Sequence, residues 1–273
     1  MSSAADDVAH VDRLEEVSTS IAALGDSLTE TDWKAPTECP GWSVQDNLAH
    51  MIGLESAILG RQEPDVVPPD GDHLKNDVGR SNEVWVEAYR ARPGVEALEE
   101  FRTVSTTRLA ALRAPDMDFS ADASTPIGPG AVRDLLPFRV FDSWVHEQDM
   151  RRAVGKPGGW EGGAAQASLD TITAVMPMIV GKKVKPADGT IVVFEVVGPA
   201  GRNVVIGMEG GRARPLDDLP ADPTVRIRLS GEAFLRLGSG RGDADVILGS
   251  GTVEISGDAA LGFTITRSMN FMF

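Results

Sequence analysis

Apolar residues recur at helical spacing through the first half of the chain and at alternating spacing through much of the second. Val11, Leu14, Val17, Ile21 and Leu24 fall on one face of residues 8–28, which predicts an amphipathic helix forming one wall of a bundle. A turn-rich run, Trp33-Lys34-Ala35-Pro36-Thr37-Glu38-Cys39-Pro40-Gly41-Trp42, separates it from the next element. Ser43 then stands in capping-box spacing with Asp46, so a second helix is expected from about Val44, with Leu48, Met51, Ile52 and Leu54 turned to a core. Residues 81–89 and 95–112 predict two more helices, the latter with Leu98, Phe101, Leu109 and Leu112 on its apolar face. After Pro126-Ile127-Gly128-Pro129-Gly130, residues 132–154 carry Leu135, Phe138, Val140, Phe141 and Val145 and predict a helix that Pro137 would start or kink. Gly155-Lys156-Pro157-Gly158-Gly159 stops it.

Beyond Gly159 the pattern changes. One helix is expected over 164–180, followed by β-branched runs over 190–197 and 203–206 that flank the hairpin signal Gly198-Pro199-Ala200-Gly201. Residues 224–229 alternate as a half-buried strand does, and Ser230-Gly231-Glu232-Ala233 opens a helix after it. A short strand over 252–255 and a closing helix over 258–269 complete the set. The expected architecture is therefore an antiparallel helical bundle over 1–159 and a smaller α+β domain over 160–273, an ordinary division for 273 residues. Residues 63–73, with Pro64, Pro68, Pro69 and Gly71, are expected as an exposed connection able to act as a flap; His73 within it reads as a solvated loop histidine.

Charge narrows the function classes. A formal net charge of −15 and a pI near 4.7 argue against a polyanionic partner, since nucleic-acid binding needs a concentrated basic surface. No apolar run approaches a membrane span and the first residues lack the basic and apolar regions of a signal peptide, so a soluble cytoplasmic protein is expected. The single cysteine, Cys39, excludes an intramolecular disulfide and a cysteine-rich metal site. Its place before Pro40-Gly41-Trp42 suits a partly buried turn residue better than a nucleophile, because no histidine is near it in sequence.

Candidate chemistry centres on Asp142 and His146, four residues apart and so on one helix face. The plain reading of such a pair is a charge pair on a helix. His50, in another apolar helical stretch, supplies a third N/O ligand, and three ligands from two helices with one position left open is the pattern of a catalytic zinc site.

The residues that carry this site also resemble a known family. Cys39-Pro40-Gly41-Trp42-Ser43-Val44 leading to Leu48-Ala49-His50, together with Asp142-x-x-x-His146-x-x-Asp149, resembles the mycothiol-dependent maleylpyruvate isomerase family, within the DinB-like four-helix-bundle superfamily. Ser250-Gly-Thr-Val-Glu-Ile-Ser-Gly-Asp258 and Asn270-Phe271-Met272-Phe273 resemble its sterol-carrier-like C-terminal domain. The resemblance implies a DinB-like bundle followed by a smaller α+β sterol-carrier-like domain, with Zn²⁺ or another divalent metal held by His50, Asp142 and His146. Asp142 stands where the family usually has Glu, one methylene longer, so either the helix comes closer to the ion or the affinity is weaker. It further implies mycothiol as a thiol cosubstrate, activated for attack on a small electrophile, with either cis–trans isomerisation or S-transfer as the outcome. Asp149 is the candidate to support an imidazole or contact the cofactor, and Arg241, in Gly-Ser-Gly-Arg, to clamp a carboxylate of substrate or mycothiol. Trp42 and Trp144 are expected to pack the bundle. The rival readings are an apolar-ligand carrier acting through the second domain, a silent scaffold protein, and a metal-dependent hydrolase that activates water; oligomeric state is left open.

Overall fold

The computed structural model describes residues 4–71, 74 and 76–272, so His73 lies outside the described residues. Its contacts divide the chain into two units, 1–164 and 165–273. The division falls beyond the Gly155–Gly159 stop because the following residues are tied back to the bundle. The Trp160 ring meets Trp144 edge-on at 5.0 Å, and the Gly163 N–H donates to Glu16 at 3.0 Å.

In the first unit, α1 (Ala4–Gly25), α3 (Val44–Ile58), α5 (Gly94–Leu112) and α6 (Val132–Ala153) pack as a four-helix bundle, and α4 (Asp77–Arg90) lies along α3. Most of the predicted apolar positions form its interior: Val11, Leu14, Val17 and Ile21 of α1, Leu48, Met51 and Ile52 of α3, Leu98, Phe101 and Leu112 of α5, and Leu135, Val140, Phe141 and Val145 of α6 are buried, whereas Leu54, Leu109 and Phe138 are half-buried. Close approach of α4 to α3 depends on Gly53, where an added Cβ would lie 2.4 Å from the Trp85 side chain. A one-turn helix, α2 (Glu30–Trp33), and a hairpin of β1 (Asp122–Thr125) and β2 (Gly128–Ala131) fill two connections. The helix α6 runs through Pro137. The proline sits in its second turn and lacks the N–H that would donate to the Arg133 carbonyl.

Two local signals place the ligand-bearing end of α3. Trp42 N–H donates to the Cys39 carbonyl at 3.1 Å, and Gly41 at φ 81° supplies the positive φ that the third position of a type II turn needs, after Pro40 at the second. The chain then enters α3 through a full capping box: Ser43 Oγ accepts from Asp46 N–H at 3.2 Å and Asp46 Oδ2 accepts from Ser43 N–H at 2.8 Å.

The second unit holds a five-stranded sheet in the order β5-β4-β3-β6-β7, from β3 (Ile191–Val197), β4 (Arg202–Glu209), β5 (Arg212–Leu216), β6 (Val225–Ser230) and β7 (Val253–Gly257). Only the β3/β6 pair is parallel. Alternation puts Val192, Phe194 and Val196 with Ile227 and Leu229 in the core, and Glu195, Arg226 and Arg228 on the polar face, where they pair with one another. The remaining helices are α7 (Gly163–Met178), which continues into a π-helical turn at Ile179–Val184, α8 (Gly231–Ser239), α9 (Ala244–Gly249) and α10 (Ala259–Arg267). Phe234 of α8 covers the sheet with its ring 6.2 Å from that of Phe194. Among the described residues no helix is long and apolar enough to cross a membrane.

Candidate metal centre

The bundle brings His50 from α3 together with Asp142 and His146 from α6, and their ligating atoms all lie within 4.8 Å of one another. His50 and His146 are buried, whereas 23% of the Asp142 side chain is exposed, so the cluster meets solvent at its carboxylate. His50 Nε2 stands 3.4 Å from Asp142 Oδ2 and 3.5 Å from Oδ1; His146 Nε2 stands 3.6 Å from Oδ1. These separations exceed the ~2.7–2.9 Å of a good charge-assisted hydrogen bond. They match the ~3.3–3.6 Å edge expected between two ligands set tetrahedrally around one ion at ~2.0–2.2 Å. The donor set of two imidazoles and a carboxylate is likewise one that zinc takes. The residues present therefore fit a divalent ion.

His146 is held for this purpose by Asn47, one turn before His50. Asn47 Nδ2 donates to the Ser43 carbonyl at 2.8 Å and to Thr37 Oγ1 at 3.1 Å, which turns its Oδ1 to the imidazole. His146 Nδ1–H donates to that oxygen at 2.6 Å, so in the neutral ring the lone pair is on Nε2, which faces Asp142 and His50. Asp149, fully buried, adds a carboxylate oxygen 3.5 Å from the same Nδ1 and accepts from Arg152 at 2.8 Å. Cys39 completes a second close group with His146 and Asp149. Within that group His146 Nδ1 is already bonded to Asn47, and Asp149 is paired with Arg152.

Trp42 also belongs to this centre. Its indole lies 4.9 Å from the His50 ring and 5.7 Å from the His146 ring, and its Nε1–H donates to buried Glu83 at 2.9 Å. Glu83 in turn accepts from Arg90 at 2.7 Å. Trp144, by contrast, packs the bundle as expected, with its N–H on the Gly159 carbonyl at 2.7 Å. Neither Asn47 nor Glu83 was singled out from the sequence. The signal for Asn47 was its position three residues before His50, which places a polar side chain on the ligand-bearing face.

Electrostatics set the protonation of the three candidates apart. Burial, offset only in part by Asp142, holds His50 below the ordinary histidine value. Burial also disfavours charge on His146, but Asp142 and Asp149 outweigh it and raise that group. For Asp142, burial pushes upward and is overcome by His50, Arg139 and His146, so its carboxyl is held well below the usual range. The Asp142 carboxylate is thus favoured in its ionised form, and of the two imidazoles His146 holds a proton the more readily.

Arg241 lies in the second unit just after α8. It is buried, and its Nη1 donates to the Ser239 carbonyl at 3.1 Å.

A helical bundle with a His-Asp-His centre, followed by an α+β unit, is the class that fold and site define. Residues 14–151 match the mycothiol maleylpyruvate isomerase N-terminal domain and residues 166–262 match the C-terminal domain of the same family. The chain belongs to the mycothiol-dependent maleylpyruvate isomerase family. It is similar in structure to the mycothiol-dependent maleylpyruvate isomerase at TM-score 0.53 and 15% identity, over 90% of this chain and 91% of the other. A histidine-to-alanine mutant of that isomerase matches at 0.52 and 16%, with the same coverage. A sterol carrier protein 2 like 2 from Aedes aegypti covers 36% of this chain and 94% of its own at TM-score 0.30 and 18% identity. Comparison with curated protein sequences returns no match.

Proposed function

We propose that the chain is a metal-dependent enzyme that activates mycothiol for addition to a small unsaturated electrophile, with cis–trans isomerisation of the maleylpyruvate type as the reaction. The observation that carries this reading is the 3.4–3.6 Å spacing of Asp142 from both histidine Nε2 atoms, longer than a good charge-assisted hydrogen bond and suited to a shared ion. Family membership supplies the thiol and the substrate class. When bound, a zinc-type ion favours the thiolate of a thiol that reaches it, since such ions deprotonate thiols that are otherwise mostly protonated at neutral pH.

The chain's own groups do the rest. Asn47 and Asp149 hold the His146 ring in the tautomer that presents Nε2. Trp42 covers one side of both imidazoles and excludes water there, while the partly exposed edge at Asp142 is left as the way in. The thiolate sulfur adds to one carbon of the cis double bond, and the π electrons move onto a conjugated carbonyl. Rotation about the resulting single bond and expulsion of the same thiolate restore the double bond as trans, so no atom is gained or lost. From the family resemblance, Arg241 of the second unit is the residue proposed to hold a carboxylate of substrate or mycothiol through its planar guanidinium.

The test is the mycothiol-dependent conversion of maleylpyruvate by zinc-loaded protein, by the metal-stripped protein and by His146→Ala. Turnover that needs zinc, mycothiol and His146 together supports the reading. Turnover of an ester or amide without any thiol would instead mark a hydrolase, and retention of apolar ligand without metal a carrier.

A further inference from the structure

Asp142 is held by a second charged partner besides the histidines. Arg139, one turn earlier on α6, donates from Nη1 to Asp142 Oδ2 at 2.8 Å. The same guanidinium donates from Nε to Glu55 Oε1 at 2.9 Å, and Arg108 Nε of α5 stands 3.3 Å from Glu55 Oε2. Arg139, Arg108 and Glu55 are each under a tenth exposed. The result is a buried chain of alternating charge, Arg108, Glu55, Arg139 and Asp142, that crosses the bundle and ends at the candidate centre.

Such a chain costs several kcal/mol of desolvation per ion, recovered only in good geometry, so stability alone is a weak reason for it. Its effect on Asp142 is specific. A free carboxylate can offer an ion one oxygen or two. Here Oδ2, although 3.4 Å from His50 Nε2, accepts from a charged donor at 2.8 Å, and Oδ1 is the oxygen that lies within 3.5–3.6 Å of both His50 Nε2 and His146 Nε2. We propose that Arg139 is a positioning residue that reserves Oδ2 of Asp142 and so limits this carboxylate to a single oxygen toward the ion. That keeps the protein ligands at three and a coordination position open for a thiol. Arg108 and Glu55 keep the guanidinium in register. The inference rests on the metal reading above.

Cobalt(II), whose visible bands weaken as its coordination number rises, is the probe. Titrations would compare wild type, Arg139→Met, Arg139→Lys and Asp142→Asn, alone and combined with Arg139→Met. The expected result is a clear loss of band intensity in Arg139→Met as Asp142 becomes bidentate, with recovery toward wild type in Arg139→Lys, whose ammonium restores a charged donor to Oδ2. In the Asp142→Asn background Arg139→Met should leave the spectrum unchanged, since an amide offers only one oxygen. An Arg139→Met spectrum that matches wild type, or one that shifts equally in both backgrounds, overturns the inference while leaving the metal reading intact. If Arg139→Met fails to fold by circular dichroism, Arg139→Leu, which likewise offers no donor to Oδ2, is judged by the same criterion. A wild type that takes up no cobalt refutes the metal reading itself, and this inference with it.

Discussion

Replacing Asn47 by alanine separates what holds the His146 ring from what holds the helix. Asn47 is fully buried and makes three hydrogen bonds, to His146 at 2.6 Å, to the Ser43 carbonyl at 2.8 Å and to Thr37 at 3.1 Å. At roughly 1 kcal/mol net for each, the apoprotein should lose about 3 kcal/mol, and His146 Nδ1–H is then left to Asp149 at a poorer distance. Loss of the group that orients a ligating histidine typically weakens metal binding on the order of ten- to a hundredfold, which is about 1.4–2.8 kcal/mol. Asn47→Asp keeps an acceptor for Nδ1–H but loses both Nδ2 donors. It should therefore lose about 2 kcal/mol on the same reckoning, yet bind zinc about as tightly as wild type. Urea denaturation of the apoproteins and competitive zinc titration of the folded proteins read the two effects separately. The reasoning fails if Asn47→Ala binds zinc as tightly as wild type, or if the aspartate variant binds as weakly as the alanine variant.

Zinc uptake should release a proton, because Asp142 and Asp149 together raise His146 and the ligand must be neutral to bind. The sign follows: affinity is fully present above the raised His146 value and is lost as pH falls through it, by up to about tenfold per pH unit for one proton. The loss should begin above the ordinary histidine value of 6.5, and calorimetry in buffers of different ionisation enthalpy measures the proton count. Gly53→Ala should destabilise the bundle by about 1–3 kcal/mol, since its Cβ would meet the Trp85 ring at under 3 Å; an unchanged thermal midpoint would remove the close α3–α4 approach from the account. Arg241→Met should raise KM for a carboxylate substrate more than it lowers kcat while leaving zinc affinity unchanged, and steady-state kinetics at saturating mycothiol decide it.

The parts of the fold that depend on local chemistry were readable before the structure. Ser43 with Asp46 gave the start of α3, and Pro40-Gly41 the turn before it, because caps and turns are set by residues adjacent in sequence. Helical periodicity likewise located the faces of α1, α3, α5 and α6 that become the core. The strand Arg212–Leu216 gave no such signal: it is a sheet edge, almost wholly exposed, with a proline and two arginines in place of an alternating apolar pattern. The hairpin at Asp122–Thr125 and Gly128–Ala131 read only as a turn, since its strands are four residues long and carry Gly and Pro. At the site, spacing within one helix related Asp142 to His146. The buried partners Asn47, Glu55, Arg108 and Glu83 come from other helices, and a polar residue looks the same in sequence whether it faces solvent or a buried charge.

The most direct measurement of the central claim is zinc titration by calorimetry on the metal-stripped wild type and on His50→Ala, each with and without mycothiol. Tight binding of one ion per chain that is lost in the variant, with mycothiol binding only to the zinc-loaded protein, is the predicted result. A folded wild type that takes up no zinc, or that binds mycothiol equally well without it, would contradict the account.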